Sequence, residues 1–368
     1  MSSALPLRPE LVGQLPYGAP RASVPVVLNV NENPYPPAPV VVTAVGRAAA
    51  AAAATLNRYP DRDADDLRAD LASYLSGDTG VVLTAAQLWA ANGSNEVMLQ
   101  LLQAFGGPGR TACSFAPTYS MYPEYARDTN TAWVLGQRAE DFTVDPVAAA
   151  ALIAVHRPSV VLLASPNNPT GTALSPDTVR SVYDATAGNG DGVVVVDEAY
   201  AEFRRPGVPS AVALLAGRPR LAVVRTMSKA FAFAGGRLGY LAGAPELVDA
   251  LRVVRLPYHL SAITQAVARA ALAHADVLLE RVVELRTSRD AMAVALRAAG
   301  LTVADSDANF LLFGTFPDRH AVWQSMLDAG VLIREVGPPG WLRVSIGTPD
   351  ENRAFLDALA AVRRVGTP

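Results

Sequence analysis

A single lysine, Lys229, stands among 30 arginines in this 368-residue chain. Arginine stays charged and forms no Schiff base, whereas a lysine shifted to its neutral form attacks carbonyl carbon. One primary amine kept in a chain otherwise supplied with guanidinium points to imine chemistry at Lys229. The count also allows a surface lysine of no chemical consequence, so its neighbourhood has to decide. Asp197 directly follows four valines, Val193 to Val196. Its carboxylate is expected at the mouth of a sheet, partly desolvated, where an ionised acid persists beside a cation. It could equally cap a helix start. Tyr200, three residues on, could reach the same cleft or simply pack.

A pyridoxal-phosphate site needs an amine for the aldehyde, a carboxylate for the pyridine nitrogen, donors for the phosphate and a flat neighbour for the ring. Ser228 and Arg237 suit a phosphate, and Gly235 and Gly236 allow close backbone approach. Asn92-Gly93-Ser94-Asn95-Glu96 precedes a helical stretch whose free amides form an anion site, or merely turn the chain. Tyr119 is the candidate to stack on the ring, with a buried core aromatic as the other reading. Arg334 and Arg343 interrupt apolar strand candidates. They suit bidentate recognition of carboxylate or phosphate, or lie on a solvated face.

These residues need elements to hold them. Three times a short apolar run meets a polar turn: Val160 to Ala164 before Ser165, Val193 to Val196 before Asp197, and Leu221 to Val224 before Arg225. Buried strands alternating with helices predict a parallel sheet with its polar turns gathered at the carboxyl ends. The segment up to about Ala38 reads as an extended arm, 46–55 as an alanine-rich helix and 64–75 as an amphipathic one. Beyond about Leu256 the pattern changes: a long helical stretch from Leu260 to Gly300 precedes strand candidates at 309–313, 331–334 and 342–346 and a last helix over 351–363. That mixture predicts a smaller α+β domain. The expected division is an arm over 1–45 joining the small domain, a large cofactor-binding domain over 46–256 and a small C-terminal domain over 257–368.

Composition narrows the partners. With 51% hydrophobic and 18% charged residues and a net charge of −3, the chain has ample core material and no basic surface for nucleic acid or a membrane. Cys113 is alone, which excludes an internal disulfide and favours a reducing compartment. The histidines at 156, 259, 274 and 320 make no metal-ligand motif, and no metal is expected. Gly188-Asn189-Gly190-Asp191-Gly192 lies before a strand instead of after one, so it is not a dinucleotide loop. Small-molecule substrates and a cytoplasmic location are expected.

Asn31-Glu32-Asn33-Pro34, Arg58-Tyr59-Pro60-Asp61, Ser165-Pro166-Asn167-Asn168-Pro169-Thr170-Gly171, Val196-Asp197-Glu198-Ala199-Tyr200 and Arg225-Thr226-Met227-Ser228-Lys229-Ala230-Phe231 carry a resemblance. The chain resembles the histidinol-phosphate aminotransferases of fold type I, in particular their actinobacterial branch, over nearly its whole length. The resemblance implies an α/β fold with pyridoxal 5'-phosphate bound by Lys229 as the Schiff-base lysine, Asp197 on the pyridine nitrogen, and Tyr200 and Asn168 on the ring oxygen. It implies Tyr119 against the ring, and Ser94, Asn95, Thr226, Ser228 and Arg237 around the phosphate. It also implies a homodimer in which Tyr59 reaches the phosphate of the other subunit. Arg334 and Arg343 would hold the substrate's anionic group, with Tyr17 and Asn33 near the substrate. Asn95 stands where many relatives carry Asp, which leaves a side-chain role there open. The implied activity, in histidine biosynthesis, is transfer of an amino group between L-histidinol phosphate and 2-oxoglutarate, giving imidazole-acetol phosphate and glutamate. An aromatic-amino-acid (phenylalanine) aminotransferase is the alternative.

Overall fold

The first described strand has two residues, β1 (Val26–Val27), and seven more build the main sheet: β2 (Leu88–Ala91), β3 (Thr111–Ala116), β4 (Ala132–Gln137), β5 (Val160–Ala164), β6 (Val193–Asp197), β7 (Leu221–Thr226) and β8 (Gly239–Gly243). The computed structural model describes residues 5–365. Residues 1–4, where the predicted arm begins, and 366–368, where the predicted small domain ends, lie outside the described residues. The seven strands form one sheet in the order β2-β8-β7-β6-β5-β3-β4. All neighbours are parallel except β8, which runs antiparallel to both β7 and β2.

Every residue of β2, β5, β6, β7 and β8 is buried, as expected of a sheet covered on both faces. Alternation divides each strand between two cores. Val193 and Val195 of β6 pack with Trp89, Val97, Leu101 and Leu251, beneath helices Ser94–Phe105 and Pro245–Val254. Val194 and Val196 pack on the opposite face with Leu67, Leu71 and Val182, from helices Asp65–Thr79 and Pro176–Asn189. Asp197 continues the first parity, and so its side chain meets residues of that core. Strands β3, β4 and β8 are not among the sequence-predicted elements. β4 is an edge strand, largely exposed or half-buried, and β8 is a five-residue strand bounded by Gly239 and Gly243; neither shows a long β-branched run.

Beyond the sheet, the predicted helical stretch over 260–300 divides into Ala262–Leu272 and Ala275–Ala298. Strands β9 (Thr302–Val303), β10 (Phe310–Gly314) and β12 (Leu342–Ser345) form an antiparallel sheet in the order β12-β10-β9, and β11 (Val331–Leu332) pairs in parallel with β1. The alanine-rich helix begins earlier than its composition suggests, spanning Pro39–Ala53, because Pro39 is preset for the first helical turn. The loop over 305–309 seats the C-terminal part on the large sheet's loops. Buried Asp307 accepts from the Arg205 backbone N–H at 2.8 Å and from its guanidinium at 3.0 Å through each oxygen. Gly171 lies so close to this loop that a Cβ there would come within 2.2 Å of Ser306 Oγ.

Candidate active site

Three parallel strands end side by side, with Ala164 opposite Asp197 and Asp197 opposite Val224. The antiparallel β8 then places Gly239 next to both Thr226 and Ala91. This register brings the turns after β2, β5, β6 and β7 and the turn before β8 to one edge. They surround a cavity of about 480 Å³, a size suited to a cofactor with a small substrate. Tyr17, Ser94, Asn95, Tyr119, Asn168, Asp197, Tyr200, Thr226, Ser228, Lys229, Arg237, Arg334 and Arg343 all line it. The sequence-predicted site residues outside it are Asn33 and Tyr59. Asn33 donates to the Ala230 carbonyl at 3.3 Å and accepts from the Tyr35 N–H at 3.0 Å, so it shapes the arm. Tyr59 is 80% exposed and stacks on Tyr258 at 4.3 Å.

Lys229 Nζ donates to the Val30 carbonyl at 3.1 Å. Burial, and then the nearby Arg343, lower its pKa from 10.5 to about 8, so a useful fraction is neutral near physiological pH. Asp197 shifts toward its own neutral form: burial raises its pKa from 3.8 to about 6, against hydrogen bonds that favour the carboxylate. Those bonds come from the Tyr122 hydroxyl at 2.8 Å and the Ala199 N–H at 3.1 Å. The short helix Ala201–Phe203 has Tyr200 at its N-cap position, so Asp197 does not cap a helix start; one of its oxygens braces the turn and the acid lines the cavity. Tyr122 was invisible to sequence reasoning; it stands between Tyr119 and Tyr125, and nothing local sets it apart as the partner of Asp197.

The phosphate candidates form a cradle. Helix Ser94–Phe105 has no side-chain cap, so its first amides are free to bind an anion. Arg237 bonds only the Ala234 carbonyl among the described residues, at 3.1 Å. The Thr226 hydroxyl lies 3.0 Å from Ser228 Oγ and braces that turn. A Cβ on Gly239 would fall 2.0 Å from the Ser94 nitrogen. Only glycine lets the strand and the helix start approach this closely.

Across the cavity, Arg334 and Arg343 are backbone-paired at 2.9 Å in both directions. Arg343 donates to Asn168 Oδ1 at 2.6 Å and to the Asn29 carbonyl at 2.8 Å. Arg334 Nη1 and Arg343 Nε are buried donors without a protein partner among the described residues. Burial and the neighbouring Arg334 hold the Arg343 pKa down to about 10, with Tyr200 opposing. No carboxylate pairs with Arg237, Arg334 or Arg343 among the described residues. The cavity therefore offers two cationic ends to anions, with an amine and a buried acid between them. Pyridoxal 5'-phosphate fits this donor set: Lys229 would hold its aldehyde, Asp197 its ring nitrogen, and Arg237 with the helix start its phosphate.

The mostly parallel sheet, its single antiparallel strand and the lysine-acid pair at the strand ends define a fold-type-I pyridoxal-phosphate transferase. The sequence model of the family described as aminotransferase class I and II matches residues 24–359, and the chain belongs to that family. It is 61% identical to a histidinol-phosphate aminotransferase of Frankia casuarinae, over 97% of this chain and 90% of that one. It is 62% identical to one of Thermobifida fusca, over 96% and 95%. Among solved structures, histidinol-phosphate aminotransferase from Sinorhizobium meliloti in complex with pyridoxal-5'-phosphate superposes with a TM-score of 0.85 at 26% identity, covering 99% of this chain and all of that one (100%). Aspartate aminotransferase from Thermus thermophilus with maleate follows at 0.80 and 26%, covering 92% and 91%.

Proposed function

We propose that this chain transfers an amino group between L-histidinol phosphate and 2-oxoglutarate, giving imidazole-acetol phosphate and glutamate in histidine biosynthesis. The observation that carries the reading is the pair of guanidiniums facing the cavity that Lys229 also lines, Arg343 buried and Arg334 half-buried, each with a buried donor and no carboxylate partner among the described residues. Planar forks with unused donors accept a phosphate or a carboxylate, so one pocket serves both partner substrates. The relatives at 61% and 62% identity bear the same activity in their names.

When bound, pyridoxal 5'-phosphate supplies an electron-accepting ring for the bond to the substrate Cα hydrogen. This chain's residues do the rest. Lys229 Nζ, brought toward neutrality by burial, removes the Cα proton and returns it. Asp197 holds the positive charge of a protonated ring nitrogen, with Tyr122 keeping its carboxylate oriented. Among the residues that line the cavity, Tyr200 and Asn168 would hold the ring oxygen, Tyr119 would flank the ring, and Ser94, Asn95, Thr226, Ser228 and Arg237 would hold the phosphate. Tyr17 lies at the substrate end with the two arginines.

Exposed Tyr59 supports a homodimer in which it serves the site of the second chain. No described helix is long and apolar enough to cross a membrane, and the lone cysteine, Cys113, is free and buried; both accord with a cytoplasmic enzyme. The test is a spectrum of the protein loaded with pyridoxal 5'-phosphate. L-Histidinol phosphate is expected to abolish the visible band and 2-oxoglutarate to restore it. A higher kcat/KM for phenylalanine than for histidinol phosphate would reject this substrate in favour of an aromatic amino acid.

A further inference from the structure

Asn31 lies two residues before the predicted substrate neighbour Asn33 and is buried, 2% exposed, on the cavity wall. Its φ of 56° is in the left-handed region, which asparagine tolerates better than most residues. Three bonds hold it. The backbone N–H donates to Ser345 Oγ at 2.9 Å, Ser345 Oγ donates to Asn31 Oδ1 at 2.9 Å, and the backbone carbonyl accepts from Asn309 Nδ2 at 3.1 Å. The serine hydroxyl, already accepting from the backbone, needs an acceptor for its own proton, and the amide oxygen is that acceptor. This decides which way the amide faces: Nδ2 points at the Tyr200 hydroxyl, 3.0 Å away.

An amide nitrogen only donates, so the Tyr200 oxygen must accept from Asn31 and direct its single proton elsewhere. The Tyr200 hydroxyl has no other hydrogen-bond partner among the described residues, its ring is held edge-on by Phe310 at 5.1 Å, and the residue lines the cavity. We propose that Asn31 is a positioning residue that fixes the Tyr200 hydroxyl as a donor into the cavity, toward an anionic ring oxygen. The inference rests on the pyridoxal-phosphate reading above. Accepting one bond also strengthens the one Tyr200 gives. With the amide reversed, Tyr200 would donate to Asn31 and present lone pairs to that oxygen.

The experiment follows the pH midpoint at which the visible absorption of the pyridoxal 5'-phosphate-loaded protein changes. Removing a donor from an ionised oxygen raises the midpoint. Tyr200→Phe is expected to raise it by about one pH unit and Asn31→Gly, which keeps the left-handed backbone, by roughly half a unit or more. Asn31→Asp, of the same shape, turns the donor into an acceptor and is expected to raise it at least as far; it carries the same test if the glycine variant does not load. Asn31→Gly added to Tyr200→Phe should shift nothing further, because Asn31 acts through Tyr200. A midpoint unchanged in loaded Asn31 variants, or an additive shift in the double variant, overturns the proposal while leaving the cofactor reading intact. Absence of any visible band in the unmutated protein overturns both.

Discussion

Lys229 and Asp197 are both driven toward neutrality by loss of water, and each therefore weakens the fold that holds it. For Lys229 the folded value of about 8 lies below the ordinary 10.5. Below pH 8 the folded chain bears the whole penalty of a buried ammonium, and the penalty fades as pH rises toward 10.5. For Asp197 the folded value of about 6 lies above 3.8, so the penalty is full above pH 6 and gone below 3.8. Without added cofactor, Lys229→Met and Asp197→Asn should each stabilise the protein at pH 7 by about 1–3 kcal/mol in urea unfolding. The gain should vanish toward high pH for the first and toward low pH for the second. Both should lose transamination by at least about a hundredfold. Variants that are inactive and also less stable at pH 7 would contradict this account of the two groups.

At the scale of elements, the antiparallel strand β8 is what closes the proposed phosphate end, because it delivers Gly239 to the start of helix Ser94–Phe105. Gly239→Ala must push the Ser94 nitrogen away from a Cβ that would sit 2.0 Å from it. Its dissociation constant for pyridoxal 5'-phosphate should rise at least about tenfold, since a helix-start anion site depends on where those amides point. Gly243→Ala, at the far end of the same strand, meets its nearest neighbours at 3.4 Å and should leave that constant unchanged. Equal effects from the two glycines, read by equilibrium dialysis, would mean that the strand as a whole matters and the close approach does not.

At the scale of the molecule, the proposed homodimer predicts a sedimenting mass of twice 38.6 kDa. Tyr59→Phe should weaken cofactor binding by roughly tenfold, the value of one lost hydrogen bond to a charged group, without altering thermal stability. A fully active monomer would remove Tyr59 from the site. Much of the site was already legible along the chain. Asp197, Ser228 and Lys229 stand where apolar runs turn polar and come together on one cavity, since a parallel strand must deliver its last residues to one edge. The valine-rich strands, the alanine-rich helix and the mixed C-terminal part follow from composition and period in the same way. Tertiary structure alone decided what faces those residues. Tyr122 reaches Asp197 across 75 residues, Asn31 reaches Tyr200 across 169 and Arg343 reaches Asn168 across 175. Such contacts depend on strand order, register and the seating of the arm, and no local periodicity records them. Residue types and their spacing name the groups able to do the proposed chemistry; packing sets how each is oriented, because a hydrogen bond between distant segments exists only once both have been brought to the same place.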